Sequence, residues 1–189
     1  MTTERHPLEP FLPEQANILF LGSFPPPQAK WSMDFFYPNW INDFWRIMGI
    51  IHKGDKSHFE VPGEKRFDRD KVMQFATQQG LAFYDTATIV TRLQDNASDD
   101  LLEVVEPTDI SALLAAIPTC CTLVTTGGKA SALLQAHFQL PKQPAVGQSL
   151  TFTAAGRTLR WWRMPSSSRA YPLNINKKAD FYRRLWGNE

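Results

Sequence analysis

Short apolar runs alternate along the chain with longer segments in which apolar residues recur every three or four positions. The runs are typical of buried strands and the recurring pattern of amphipathic helices. Strands are predicted at residues 18–21, 81–86 and 122–126, followed by a hairpin at 149–153 and 158–163. Helices are predicted at residues 42–51, 68–79, 107–116, 129–138 and 176–186.

This alternation predicts an α/β protein, folded as a three-layer α/β/α sandwich with a four-stranded, mostly parallel central sheet. A chain of 189 residues is long enough to bury a sizeable core, and we expect one domain over residues 1–189. Residues 25–40 and 89–106 show no regular pattern. They are predicted to be long loops, which often carry function.

The net charge of +1 conceals a separation of charge along the chain. From Arg157 onward there are eight basic and two acidic residues, a net charge of +6. The preceding residues contain twelve basic and seventeen acidic residues, a net charge of −5. A basic segment of this kind favours an anionic partner on one face, and a solvated helix with a few strand-edge arginines is the alternative.

Several classes of protein are not supported by the composition. No apolar run is long enough to span a bilayer, and the first residues lack a secretory apolar stretch, so we expect a cytoplasmic protein without a membrane partner. A C-x-x-C pattern is absent, which gives no support to a zinc or iron–sulfur site. We expect no metal, no cofactor and a monomer.

Two turns that directly follow predicted strands carry the candidate chemistry. The first is Gly22-Ser23-Phe24-Pro25-Pro26, and the second is Met164-Pro165-Ser166-Ser167-Ser168-Arg169. Because ligands bind at the carboxyl ends of strands in open α/β sheets, the two turns are expected to face one crevice. Their backbone N–H groups and small hydroxyls suit a phosphate or the edge of a nucleobase.

The segment after the first turn is unusually aromatic. Eight of the fifteen residues from Trp31 to Trp45 are Trp, Phe, Tyr or Met, interspersed with Ser, Asp and Asn. Such a mixture can stack on a flat ring and read its polar edge. An aromatic-rich turn that only fills the core is the alternative.

In their order along the chain, these features resemble the uracil-DNA glycosylase superfamily. The strand-Gly-x-x-Pro turn at Gly22, the aromatic loop, Asn42-Asp43-Phe44-Trp45 and the late strand ending in Pro165-Ser166 carry the resemblance. It is closest to the mismatch-specific uracil/thymine enzymes and the hypoxanthine-DNA glycosylase branch. Phe83-Tyr84-Asp85-Thr86 and Gly128-Lys129 also resemble strand-end segments of the family.

The resemblance implies functions for individual residues. The residues expected to bind the base are Gly22, Ser23, Phe24, Phe36 and Tyr37. The backbone N–H groups of the first turn would hydrogen-bond to the base carbonyl. The residues expected to bind the DNA are Lys129, Pro165, Ser166, Ser167, Ser168 and Arg169.

The catalytic side chains differ from the family pattern at two positions. Mismatch-specific members have an Asn where this chain has Phe24, and many members have a His where it has Met164. The hypoxanthine branch also lacks the first Asn and is thought to use the Asn that corresponds to Asn42. We therefore predict Asn42 and Asp85 as catalytic residues. The alternatives are a helix cap for Asn42 and a turn former for Asp85.

The resemblance implies a weak or narrowly specific DNA glycosylase of base excision repair, which flips a deaminated base, uracil or hypoxanthine, and hydrolyses its N-glycosidic bond. A non-catalytic DNA- or nucleotide-binding protein of the same fold is the alternative, since both usual catalytic residues are missing. A hydrolase with a nucleophile among Ser166, Ser167 and Ser168 is a third hypothesis, but the chain has no G-x-S-x-G motif.

Overall fold

The computed structural model describes residues 2–94 and 98–187. The strands are β1 (Thr3–Arg5), β2 (Ile18–Gly22), β3 (Leu81–Asp85), β4 (Ala87–Arg92), β5 (Leu102–Pro107), β6 (Thr122–Thr126), β7 (Ser149–Ala154) and β8 (Arg157–Met164). The helices are α1 (Phe44–Lys53), α2 (Arg69–Gln79), α3 (Ile110–Ala116), α4 (Gly128–Phe138) and α5 (Ile175–Arg183). The prediction of an α/β fold is thereby confirmed.

The central sheet has five strands in the order β3-β2-β6-β8-β7. The first four are parallel, and every residue of β2 and β3 is buried, which explains their continuous apolar sequences. The prediction of a four-stranded sheet was wrong by one strand, because β7 of the predicted hairpin pairs antiparallel with β8 along its whole length. Ala155 and Gly156 make the turn, both with positive φ.

A second sheet corrects the prediction of an irregular segment at residues 89–106. Strands β1, β4 and β5 form an antiparallel sheet in the order β1-β4-β5. The pattern was hard to recognise because most residues of β5 are exposed or half-buried and the β4–β5 register shifts near Ile89. Residues 95–97, which fall in the same predicted loop, lie outside the described residues.

The helix ends follow local side-chain chemistry. Asp68 accepts a hydrogen bond from the Lys71 N–H at the start of α2, and Gly80 ends that helix in the left-handed conformation, as predicted. Helix α1 begins at Phe44, two residues later than predicted. Helix α2 packs on β3, α4 on β6, and α1 against α5. The arrangement of helices in layers on both faces of the central sheet, as in an α/β/α sandwich, stays a prediction.

Strand register brings several polar groups to one edge of the central sheet. Gly22 lies opposite Asp85 at the ends of β2 and β3, and Thr126 lies opposite Met164 at the ends of β6 and β8. From β2 the chain continues to β3 on one side and later returns to β6 on the other. A reversal of this kind opens a crevice at the carboxyl ends of the strands. Within residues 2–94 and 98–187, no helix is long and apolar enough to cross a membrane.

Candidate functional site

A cavity of about 720 Å³ opens at this edge of the sheet. It is lined by both predicted turns, the aromatic loop, the end of β3 and the end of β6. Ten of the thirteen predicted site residues line it: Gly22, Ser23, Phe24, Phe36, Tyr37, Asn42, Asp85, Ser166, Ser167 and Ser168. Its volume lies in the range typical of small-ligand sites.

Asp85 is fixed in the cavity wall by two neighbours. One carboxylate oxygen, Oδ2, lies 2.7 Å from Nε2 of His6, whose side chain is 1% exposed. The other oxygen, Oδ1, lies over Gly22, where a Cβ atom would approach it to 2.6 Å. Glycine at position 22 therefore allows the carboxylate to lie against the backbone of β2.

Replacing this glycine should disable the site. In Gly22→Ala the methyl group overlaps Asp85 Oδ1, so the carboxylate or the backbone of β2 has to shift. Overpacking of this kind costs about 1–3 kcal/mol, and misplacing a reacting group by about 1 Å can cost on the order of 10²-fold in rate. Thermal unfolding and single-turnover base release would measure the two effects.

Gly128→Ala is the matched control, because a Cβ at position 128 has no atom within 4 Å. We expect this variant to keep the wild-type rate and to be at least as stable as wild type, because Ala is favoured over Gly in a helix such as α4. If Gly22→Ala keeps both as well, the described packing of Asp85 on Gly22 is wrong.

Tyr37 has a strained backbone within the aromatic loop. Its φ is +52°, although it is not glycine and precedes a proline. Its ring stacks on Phe44 at a centroid distance of 4.1 Å, and its hydroxyl lies 2.7 Å from Thr126 Oγ1. Burial raises the pKa of the Tyr37 hydroxyl, so the group stays protonated. Backbone strain held by packing is common at ligand sites.

A second carboxylate lies near the first turn. Asp99, which comes just before β5, accepts a hydrogen bond from the Ser23 hydroxyl and lines the cavity. Burial raises the pKa of Asp99, while the hydrogen bond from Ser23 and the charge of Lys129 act in the opposite direction. In the described parts of the chain, no cluster of three or more His, Cys, Asp or Glu side chains is placed to hold a metal ion.

Two side chains of helix α5 donate hydrogen bonds to backbone carbonyls of the second turn. Lys178 donates from Nζ to the Ser168 carbonyl at 2.7 Å, and the Tyr182 hydroxyl donates to the Pro165 carbonyl at 2.7 Å. These two buried side chains lie four residues apart and so project from one face of the helix. Burial lowers the pKa of Lys178. The turn is thus anchored by its carbonyls, which leaves its small side chains at the cavity.

The side-chain oxygen of Asn42 already takes part in a hydrogen bond within the protein. Its Oδ1 accepts a hydrogen bond at 2.9 Å from the N–H of Phe44, the first residue of α1, while Asp43 occupies the N-cap position of that helix. Its amide N–H₂ group is the part left for a ligand. Asn42 also pairs with Ser168 in an isolated antiparallel bridge, which joins the aromatic loop to the second turn.

Three predicted DNA-binding residues, Lys129, Pro165 and Arg169, are not among the described residues that line the cavity. Lys129 donates from Nζ to the Leu102 carbonyl at 2.6 Å. Arg169 pairs with the buried Asp43 at 3.2 Å, yet its side chain is 49% exposed. Arg169 therefore ends the second turn with about half of its side chain open to solvent.

The basic C-terminal segment is less uniform than its net charge suggests. Most of its cations bond to the protein itself. Among those with such bonds are Arg157, Arg163, Arg169, Lys178, Arg183 and Arg184. Arg157, for example, donates to three backbone carbonyls that end α3 and precede β6. The sequence count alone therefore overstates the charge available to a partner.

Sequence reasoning missed three residues around the cavity: His6, Asp99 and Lys178. His6 follows a three-residue polar strand, and Asp99 lies in a segment without apolar periodicity, so neither had a pattern to mark it. Lys178 had a detectable signal, because it lies four residues before Tyr182 and next to the buried Ala179 on α5.

Comparison with known proteins identifies the fold. No protein-family model matches the chain, and no curated protein matches it. Among solved structures, it is similar to the solution NMR structure of a "putative Uracil DNA glycosylase" from Methanosarcina acetivorans. The two are 21% identical, with a TM-score of 0.64, over 98% of this chain and 100% of that chain. A likeness at this level of identity establishes a common fold.

Proposed function

We propose that residues 1–189 form one DNA glycosylase-like domain that removes a deaminated base from DNA. The observation that carries the proposal is the cavity at the carboxyl edge of the sheet, where Asp85 at the end of β3 meets Tyr37 and Asn42 of the aromatic loop. The fold shared with the Methanosarcina acetivorans structure supports the same conclusion. The proposal places the protein in the uracil-DNA glycosylase superfamily, near its mismatch-specific and hypoxanthine branches, and in the cytoplasm as a monomer.

The reaction sets demands that this cavity can meet. The base must be flipped out of the helix at a cost of a few kcal/mol. Cleavage then develops positive charge on the sugar and negative charge on the departing base. A catalyst needs donors for the base, an acceptor for the attacking water and an environment that excludes bulk solvent.

We assign base binding to the first turn and the aromatic loop. The backbone N–H groups of Ser23 and Phe24 are proposed to hold the base carbonyl. Tyr37 has one ring face covered by Phe44, so its opposite face is the one proposed to stack on the base. Phe36 lies deeper, stacked on Phe83 at 6.0 Å, and gives the cavity an apolar wall.

The attacking water is assigned to Asn42 and Asp85. The free N–H₂ group of Asn42 can donate to the water oxygen, and Asp85 Oδ1 can accept one of its protons. Phe24 and Met164 occupy the positions of the usual catalytic side chains, so this pair would act alone. We therefore propose slow turnover or a narrow choice of base.

The DNA backbone is assigned to the second turn, with Ser166, Ser167 and Ser168 next to the phosphates and Pro165 shaping the turn. Arg169 and Lys129 are proposed to lie near phosphates on either side. The serine hydroxyls are poorly suited to a hydrolase nucleophile. Ser166 and Ser168 accept hydrogen bonds from the backbone N–H groups of Ser168 and Ala170, and no described hydrogen bond joins them to a histidine.

Affinity for duplex DNA should fall steeply with salt, since each phosphate contact contributes about −0.9 to the slope of log K against log salt. Arg169→Ala should weaken binding and make the slope shallower by about one contact. Arg66→Ala is the control, because Arg66 is equally exposed and also paired with a carboxylate, outside the cavity lining. A salt-independent affinity, or equal slopes for the two variants, would contradict the assignment of Arg169.

A panel of duplexes separates the proposed enzyme from a non-catalytic binding protein. Uracil, hypoxanthine and xanthine, and thymine in a mispair, are each placed in one duplex, and abasic sites and binding are measured together. The glycosylase proposal expects abasic sites with at least one base. Binding to every duplex without release of any base would instead favour a DNA- or nucleotide-binding protein of this fold.

A further inference from the structure

His6 is built into the wall behind Asp85, 79 residues away in sequence. Its backbone N–H donates to the Thr88 carbonyl at 2.8 Å, which fixes the residue beside β4. Its ring stacks on Tyr84 at 4.6 Å and meets the edge of Phe24 at 5.3 Å. Packed between these two rings, the imidazole has little freedom to turn.

The hydrogen bonds of the ring define its tautomer. The Leu8 N–H donates to Nδ1 at 3.1 Å, and a backbone N–H can only donate, so Nδ1 carries no proton. The ring proton is therefore on Nε2, which donates to Asp85 Oδ2 at 2.7 Å. His6 is a neutral donor directed at the carboxylate.

This arrangement divides the two oxygens of Asp85 between separate tasks. Oδ2 is occupied by His6, and Oδ1 lies over Gly22 at the edge of the cavity. We propose that His6 is a positioning residue, which fixes the rotation of Asp85 so that Oδ1 faces the attacking water. This inference rests on the proposed function, because it assumes that Asp85 handles that water.

Two substitutions separate the donor from the rest of the ring. In His6→Gln the side-chain amide nitrogen can take the place of Nε2 and still donate to Asp85. In His6→Asn the shorter amide reaches the level of Nδ1, beside the Leu8 N–H, but falls short of Asp85. We expect His6→Gln to keep the single-turnover rate within about tenfold of wild type and His6→Asn to lose on the order of 10²-fold.

A double-mutant cycle tests whether His6 acts through Asp85. If it does, His6→Asn should have little further effect on rate in an Asp85→Asn background. Additive losses from the two changes would overturn the proposal, because they would mean that His6 serves the fold or another group. Equal rates for His6→Asn and wild type would overturn it as well.

The tautomer can be read without any turnover. Nitrogen-15 NMR of wild-type protein should show His6 with the proton on Nε2, and a proton on Nδ1 would overturn the pairing whatever the activity. If the expected tautomer appears but wild type releases no base from any duplex, the proposed function fails, and with it the effect of His6 on rate. The hydrogen-bonded pair with Asp85 would still stand.

Discussion

Asp85→Asn should reduce single-turnover base release on the order of 10²–10³-fold, the usual effect of removing one preorganised polar group from an active site. The substitution keeps the shape of the side chain and a carbonyl oxygen for His6. It removes the negative charge and places an N–H₂ group where an acceptor is needed. Quench-flow or gel assays of abasic sites, with enzyme in excess over DNA, would measure the loss.

Two controls make the Asp85 result specific. Affinity for the duplex should change little, since Asp85 ends β3, and two strands of the sheet separate β3 from β8 and the second turn. Asp180→Asn removes an exposed carboxylate from α5 and should leave the rate unchanged. A wild-type rate in Asp85→Asn would remove this residue from the mechanism and leave it as a partner for His6.

The second large effect is expected at Asn42, where two substitutions separate its local hydrogen bond from catalysis. Asn42→Asp retains an oxygen for the Phe44 N–H and should keep the melting temperature, because Asp and Asn both bond the backbone two residues on. Asn42→Ala loses this hydrogen bond, at about 1 kcal/mol. Both remove the N–H₂ group, so both should lower the rate on the order of 10²-fold or more.

A lower melting temperature in Asn42→Ala together with full activity in both variants would contradict a catalytic role for Asn42. In that case Asn42 only stabilises the start of α1. Duplex affinity is measured in parallel, because the new carboxylate of Asn42→Asp can repel phosphates and mimic a catalytic loss.

The parallel core of the fold was predictable because burial on both faces leaves a plain signal. Residues 18–22 and 81–85 are apolar almost throughout and end at Gly22 and Asp85, which marked both the strands and the edge where the cavity lies. The small sheet was missed for the opposite reason. Strand β5 is buried only at Leu102, with Val104 half-buried, so its alternation does not stand out from that of a loop.

The parts of the candidate site that lie in turns directly after strands were predictable. Each turn comes directly after a strand, so topology alone placed Gly22 and Ser166 at one crevice. The contact of His6 with Asp85 spans 79 residues and depends on how β1 pairs with β4, which no local pattern encodes. The basic residues showed the opposite failure, since Arg157 and Lys178 were counted as surface charge but bond to backbone carbonyls within the fold.

The most direct measurement is release of the free base itself, by chromatography, from duplexes that contain uracil or hypoxanthine, with wild-type protein in excess. If the cavity is a glycosylase site, free base and abasic DNA appear in equal amounts. Both are lost in Asp85→Asn and Asn42→Asp, while Arg66→Ala behaves as wild type. Intact duplex that stays bound to folded wild-type protein with no free base, or equal release by all four proteins, would contradict the proposal.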